Sequence, residues 1–157
     1  MANTSPLFVG APNFEAVKIP ATNAVTTSDG VSTGNVAATN MTMVLSCGAN
    51  GSFVERVRFI PVFTSAVNSV ATTVRVFIST ESGGVNSTTA ANTALLGEIA
   101  IPATASGSTT IATPYYDLLL NLPAPPNTYI LACQHVSQGA GNGQFQVLCF
   151  GMGSGTY

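Results

Sequence analysis

The sequence carries very little charge for its length. Four of its 157 residues are Lys or Arg and six are Asp or Glu, which is 6% of the chain, against roughly 25% in an ordinary soluble domain. Hydrophobic residues make up 46%, so charge alone cannot keep the surface dispersed. Uncharged Thr, Ser, Asn and Gly replace it, and they can be buried against a neighbour without the desolvation cost of an ion. We therefore expect a subunit that packs against copies of itself or a partner.

The shortage of basic and apolar runs excludes two kinds of partner. The net charge is −2 and the four basic residues form no cluster, whereas nucleic-acid binding requires clustered Lys and Arg to neutralise phosphates. No stretch of eighteen apolar residues occurs, and the first ten residues resemble no export signal. We expect no nucleic-acid or membrane partner, and synthesis in a cytoplasm.

The residues that usually carry chemistry are also scarce. His135 is the only histidine, and the three cysteines, Cys47, Cys133 and Cys149, are expected to be reduced, buried thiols because no export signal accompanies them. An enzyme would need Cys133 or Cys149 as nucleophile and His135 as base. No zinc-like spacing and no phosphate-binding lysine accompany these residues. We expect a protein without catalytic activity, metal or cofactor.

From residue 40 onward the sequence alternates between β-branched or aromatic runs and turns rich in Gly, Ser, Asn and Pro. This spacing is typical of an antiparallel sandwich or jelly roll. Seven or eight strands are predicted from residue 40 onward, and a further short strand is possible at 14–19. The strands placed from residue 40 onward are 41–47, 53–63, 72–80, 93–102, 115–122, 128–136 and 144–152.

Two of the turns between these strands allow a specific prediction. The turn residues 48–51 predict that the first two strands of the set form a hairpin. Pro123 predicts that the strand 115–122 ends there, because proline has no N–H for a ladder.

Residues 1–38 have too few apolar side chains to form a core of their own. We predict that they form an extended N-terminal arm in front of a β-sandwich domain at 39–157. The predicted fold class is therefore all-β: an antiparallel, jelly-roll-like sandwich of seven or eight strands preceded by an arm.

More than half of the charged residues fall within predicted strands. Arg56 and Arg58 should share one face of a strand, and Arg75 could lie on a neighbouring strand. One interpretation is a set of cross-strand ion pairs, and the other is a subunit contact, in which Arg is enriched. The tyrosines have two similar interpretations, as residues of a subunit contact or as side chains packed in the core. The candidate interface residues are Leu7, Phe8, Phe14, Arg56, Arg58, Arg75, Tyr115 and Tyr116.

Four predicted strands carry a resemblance to a known group of proteins. The segments Val57-Arg-Phe-Ile-Pro61, Ala71-Thr-Thr-Val-Arg-Val-Phe-Ile78, Leu95-Leu-Gly-Glu-Ile-Ala-Ile-Pro102 and Asp117-Leu-Leu-Leu-Asn-Leu-Pro123 resemble strands of head decoration, or cement, proteins of tailed bacteriophages. The resemblance covers roughly residues 53–150. It implies a structural virion protein on the outer capsid surface that binds the major capsid protein as an oligomer, commonly a trimer, with an N-terminal arm that reaches a neighbour.

An alternative function is a receptor- or glycan-binding module of a phage tail fibre. The loops at 83–92, 103–112 and 137–143 would then form the binding tip. The absence of Trp from the chain, and of aromatic residues from these loops, is unusual for stacking on sugars.

Overall fold

The computed structural model describes residues 12–20, 41–62, 68–82, 88–89, 91–105, 113–138 and 144–153. Over these residues the chain forms eight strands and no helix, which confirms the predicted all-β class. The strands are β1 (Pro12–Ile19), β2 (Thr42–Ser46), β3 (Ser52–Val62), β4 (Thr72–Ser79), β5 (Thr93–Ile101), β6 (Tyr116–Ala124), β7 (Tyr129–Gln134) and β8 (Gln144–Gly153).

The strands form two four-stranded antiparallel sheets. The first sheet has the order β1-β8-β3-β6 and the second has the order β2-β7-β4-β5. The first strand thus pairs with the last, the second with the seventh, the third with the sixth and the fourth with the fifth. This nested pairing is the topology of a jelly roll, so the predicted jelly-roll-like sandwich is confirmed.

The core is filled by side chains from the inner faces of both sheets. Val54, Val57 and Phe59 of β3 have no exposed surface, and Val74 and Val76 of β4 belong to the same buried cluster. Burying a side chain of this size stabilises the fold by about 1.5–3 kcal/mol relative to leaving it exposed. Core residues alternate along the strands with residues on the outer faces, as a period of two requires, except where the register shifts.

The predicted strand at 14–19 is confirmed as part of β1. It pairs with β8 along its whole length, and Ile19 is fully buried in the core. The rest of the predicted arm, including Leu7 and Phe8, lies outside the described residues. The division of the chain into an arm at 1–38 and a domain at 39–157 stays a prediction.

A β-bulge in β3 resolves a conflict in its sequence. With Val54 facing the core, strict alternation would also turn Arg56 and Arg58 inward. The register shifts between Val54 and Arg56 in both ladders of β3. Val57 and Phe59 therefore face the core, while the two arginines are only half-buried on the opposite face.

The predicted hairpin between β2 and β3 is wrong, because these strands belong to different sheets. The turn between them is bonded to the β6–β7 turn instead. The Cys47 N–H donates to the Thr128 carbonyl (2.9 Å), and the Asn127 N–H donates to the Gly48 carbonyl (2.7 Å). Both turns cross between the sheets, so their backbone groups satisfy each other at one end of the sandwich.

The predicted end of a strand at Pro123 is also wrong. Strand β6 continues to Ala124, and Pro123 lies opposite Phe53 of β3. Strand β6 is an edge of the first sheet, and an edge tolerates proline because it needs hydrogen bonds on one side only.

Two glycines within strands provide a test of this packing. A methyl group at Gly151 would collide with the backbone carbonyl of Phe53, whereas one at Gly97 would meet the end of the Leu118 side chain at 3.1 Å. Because a backbone cannot move aside as a side-chain end can, Gly151→Ala should lower the free energy of unfolding by about 1–3 kcal/mol. Gly97→Ala should lower it less, as measured by urea denaturation. Equal losses from the two variants would contradict the close approach of β8 to β3.

Candidate interaction surface

The outer face of the first sheet brings together side chains from β3, β6 and β8. Along the register, Arg56 lies opposite Leu119 and Phe150, and Arg58 lies opposite Asp117 and Leu148. We call this surface the first-sheet face; its residues are Phe53, Arg56, Arg58, Tyr115, Asp117, Leu119, Leu148, Phe150 and Met152.

Arg58 is held in the middle of the first-sheet face by contacts on two sides. Its Nε and Nη2 donate to the two carboxylate oxygens of Asp117, both at 2.7 Å. Its guanidinium carbon lies 4.0 Å from the centre of the Tyr115 ring and 5.6 Å from that of Phe150. The planar guanidinium of arginine favours both bidentate pairing with a carboxylate and stacking on an aromatic ring.

Arg56 has weaker partners than Arg58. Its guanidinium carbon lies 4.6 Å from the centre of the Phe150 ring, and its Nη1 lies 3.2 Å from the carboxylate of the exposed Glu55. Its Nε is buried and has no hydrogen-bond partner among the described residues. Part of the guanidinium remains accessible to solvent.

Large apolar side chains are exposed around these arginines. Leu119 is 65% exposed, Tyr115 is 59% exposed and Met152 is 47% exposed. Aromatic residues, Met and Arg are enriched at protein–protein interfaces, while Lys and Glu are depleted. Exposed apolar residues beside arginines make this face a candidate interaction surface.

The ion pair shifts the pKa of both its members. Hydrogen bonds from Arg58 hold the pKa of Asp117 below its usual value, although partial desolvation acts in the opposite direction. The positive charges of Arg58 and Arg56 lower this pKa further. The hydrogen bonds to Asp117 likewise raise the pKa of Arg58. The pair is therefore fully ionised at neutral pH.

The structure brings together three of the eight predicted interface residues, namely Arg56, Arg58 and Tyr115. Phe14 is opposite Phe150 in the β1–β8 register, on the strand next to this group. Tyr116 instead packs against the core, because it follows Tyr115 on the opposite side of the chain. Leu7 and Phe8 lie outside the described residues.

The expectation that Arg75 could lie on a strand beside Arg56 and Arg58 is wrong. Arg75 belongs to β4 in the second sheet, since the connection after β3 crosses between the sheets. There it pairs with its register partner Glu98 at 3.0 Å, and its Nη1 lies 3.2 Å from Nδ1 of His135. The cross-strand ion pairs considered for these arginines are thus present for Arg58 and Arg75.

The outer face of the second sheet has a different character. Phe77, Leu131 and Cys133 alternate with core residues along β4 and β7, yet they are fully buried in a second cluster with Met41. Burial raises the pKa of the Cys133 thiol to about 12, which leaves almost no thiolate at neutral pH.

Leu119, Phe150 and Met152 were missed as interface candidates, although the sequence holds a signal for Leu119. Three consecutive leucines at 118–120 on one strand place Leu119 on the face opposite its neighbours. In β8, apolar residues occur at positions on both faces of the strand, which gives a similar signal for Phe150 and Met152. These patterns do not indicate which of the two sheets has the more exposed outer face.

A hollow of about 290 Å³ at the end of β4 and β5 is a poor candidate for a glycan site. No aromatic ring is among the residues that line it. Its polar groups bind each other: Oδ1 of Asn92 accepts from the Thr89 N–H and the Thr93 hydroxyl, which contacts the Ser79 hydroxyl at 2.8 Å. The lining residues are Ile78, Ser79, Thr80, Ala91, Asn92, Thr93, Ala94 and Thr128.

The described residues offer neither a metal site nor a membrane-spanning helix. Among them, no three His, Cys, Asp or Glu side chains come together as metal ligands would. A helix of sufficient length and apolarity to cross a membrane does not occur in the same residues.

Comparisons with known proteins add little to this description. No family model and no curated protein matches the sequence. Among solved structures, the VP2 subviral particle of infectious bursal disease virus matches with a TM-score of 0.29 and 14% identity over 93% of this chain. The chain spans 34% of that structure's length. A likeness of this size establishes neither a shared fold nor a shared function.

The Arg58–Asp117 pair gives a pH-dependent prediction. The pKa of Asp117 is lowered from 3.8 in the folded state, so the stabilisation by the pair is complete well above pH 3.8 and is lost as the pH falls through the lowered pKa. Asp117→Asn should therefore be less stable than the wild type at pH 7, and this difference should shrink as the pH falls below 3.8. Urea denaturation at a series of pH values measures it. A difference that is constant over this range would contradict the ion pair.

The burial of the cysteines gives a second prediction. Cys47, Cys133 and Cys149 are all buried thiols, so a thiol reagent at pH 8 should label none of them in the folded protein and all three in urea. The measurement is the number of labels per chain by mass spectrometry. Rapid labelling of folded Cys133 or Cys149 would instead support the hypothesis of a thiol nucleophile.

Proposed function

We propose that this chain is a non-enzymatic structural protein of a virion. In this proposal it is a decoration, or cement, protein that binds the major capsid protein on the outer surface of a phage capsid and stabilises the shell. It acts as an oligomer of identical chains, as the trimers common in the resembling family suggest. The observation that carries the proposal is the apolar, arginine-containing first-sheet face on a jelly roll with so few charges.

The fold and the surface support the proposal in different ways. Jelly rolls form viral capsid domains, but also lectins and other proteins, so the fold alone does not decide. The first-sheet face adds an exposed surface with the composition of an interface. Symmetric repetition lets many weak contacts of this kind sum to a stable shell.

The buried groups favour a structural role over catalysis. Burial raises the pKa of Cys133 to about 12, so this thiol is not poised as a nucleophile, and Nδ1 of His135 is in contact with Nη1 of Arg75. The polar side chains of the hollow near Asn92 are engaged with each other. These contacts also weaken the alternative of a glycan-binding tail-fibre module.

The proposal predicts that the protein is present in many copies on each head. Particles that lack this chain should assemble, but should lose infectivity or release their genome at a lower temperature than complete particles. Adding back the purified protein should restore the higher temperature, because bound copies stabilise only the assembled shell. Quantitative mass spectrometry of purified virions measures the copy number, and a thermal-release assay measures the stability.

Three results would contradict this function. A handful of copies per particle, together with heads of normal stability and lost adsorption to cells, would favour the tail-fibre module. Absence of the chain from purified virions would exclude a structural role in the particle. A monomer at all concentrations would contradict the oligomer.

A further inference from the structure

We propose that the first-sheet face is the surface that docks on the capsid shell, and that the shell presents an apolar patch with carboxylates at its edge. This inference rests on the proposed function and deepens it, because it names the contact surface and the chemistry of its partner. It differs from the other possible arrangement, in which the outer face of the second sheet contacts the shell.

The first argument is the difference between the two outer faces. On the first sheet, Leu119, Tyr115 and Met152 are exposed to 65%, 59% and 47%. On the second, Phe77 and Leu131 are fully buried, and the exposed large apolar residues of its strands are Met43 and Leu95, each at 40%. Val70 and Val136, near the ends of β4 and β7, are exposed to 41% and 38%. The first-sheet face therefore offers more uncovered apolar surface for a partner to bury.

The second argument is charge. The strands of the first sheet contain Lys18, Arg56 and Arg58 against Glu15, Glu55 and Asp117, so their formal charges balance. Asp117 neutralises Arg58 at 2.7 Å. Two positive groups remain accessible: Arg56, which contacts the exposed Glu55 at 3.2 Å and the Phe150 ring at 4.6 Å, and Lys18, which is exposed. A complementary partner therefore supplies carboxylates near Arg56 and Lys18.

The third argument is that the centre of the face is already ordered. Asp117 and the Tyr115 ring fix the Arg58 guanidinium from two sides. The Phe150 ring lies against both arginines. Side chains held in this way lose little freedom when a partner binds, which favours affinity.

A matched pair of leucine variants tests the assignment. Leu119 and Leu95 both lie on edge strands with exposed side chains, one on each sheet. Leu119→Ser should raise the Kd for particles that lack this chain by about tenfold or more, as expected for an apolar residue at the centre of an interface. Leu95→Ser should bind as the wild type does. Co-sedimentation with such particles measures the Kd, and urea denaturation checks that both variants remain folded.

Charge variants test the chemistry of the partner. Arg56→Glu should weaken binding to particles more than Arg56→Lys, which keeps the positive charge, and wild-type binding should weaken as salt increases. Equal effects of the two substitutions, or binding that is independent of salt, would overturn the complementary carboxylates.

The outcomes separate this inference from the function beneath it. If the wild type does not bind the particles, the proposed function fails. If the wild type binds and Leu119→Ser binds equally well, or Leu95→Ser is the weaker variant, only the assignment of the face fails. If Leu119→Ser dissociates the oligomer of the free protein, as seen by light scattering, the face joins copies of this chain and the inference is overturned.

Discussion

The register of β3 against β6 and β8 is the constraint on which both the core and the outer surface depend. A shift of one residue would bury Arg56 and Arg58 and turn Val57 and Phe59 to solvent, because side chains alternate along a strand. The bulge between Val54 and Arg56 prevents this, because at this point β3 has one residue more than β8 and β6 has one residue more than β3. The same bulge that completes the core also sets the arginines beside Asp117 and Phe150, so fold and surface share one cause.

The nested strand order explains why some features could be predicted and others could not. The strands follow from local alternation and turn residues, and all seven placed from residue 40 onward are present, as is the strand at the N-terminus. Which strands pair is a long-range property. The turn at 48–51 has the residues of a hairpin, yet its backbone bonds to the turn at 125–128, some eighty residues away in the sequence. Pairing of that kind leaves no local signal.

The same limit applies to the candidate surface. The shared face of Arg56 and Arg58 follows from their spacing of two and was predicted correctly. Whether Arg75 joined them depended on the sheet that β4 enters, which the sequence does not indicate. Tyr115 and Tyr116 are chemically identical, and only the point at which β6 begins decides which ring lies over Arg58 and which packs against the core.

The scarcity of charge acquires a structural meaning once the ion pairs are located. Six of the eight charged side chains that the structure describes form three pairs within the chain, so little net charge remains to repel a neighbour. Two of these pairs stand between strands, where they fix arginine head groups instead of solvating the surface. Such a surface has little favourable hydration free energy, so covering it with another surface costs little desolvation free energy. In the function proposed here, the uncharged polar residues would keep the free chain in solution without opposing its burial in an assembly.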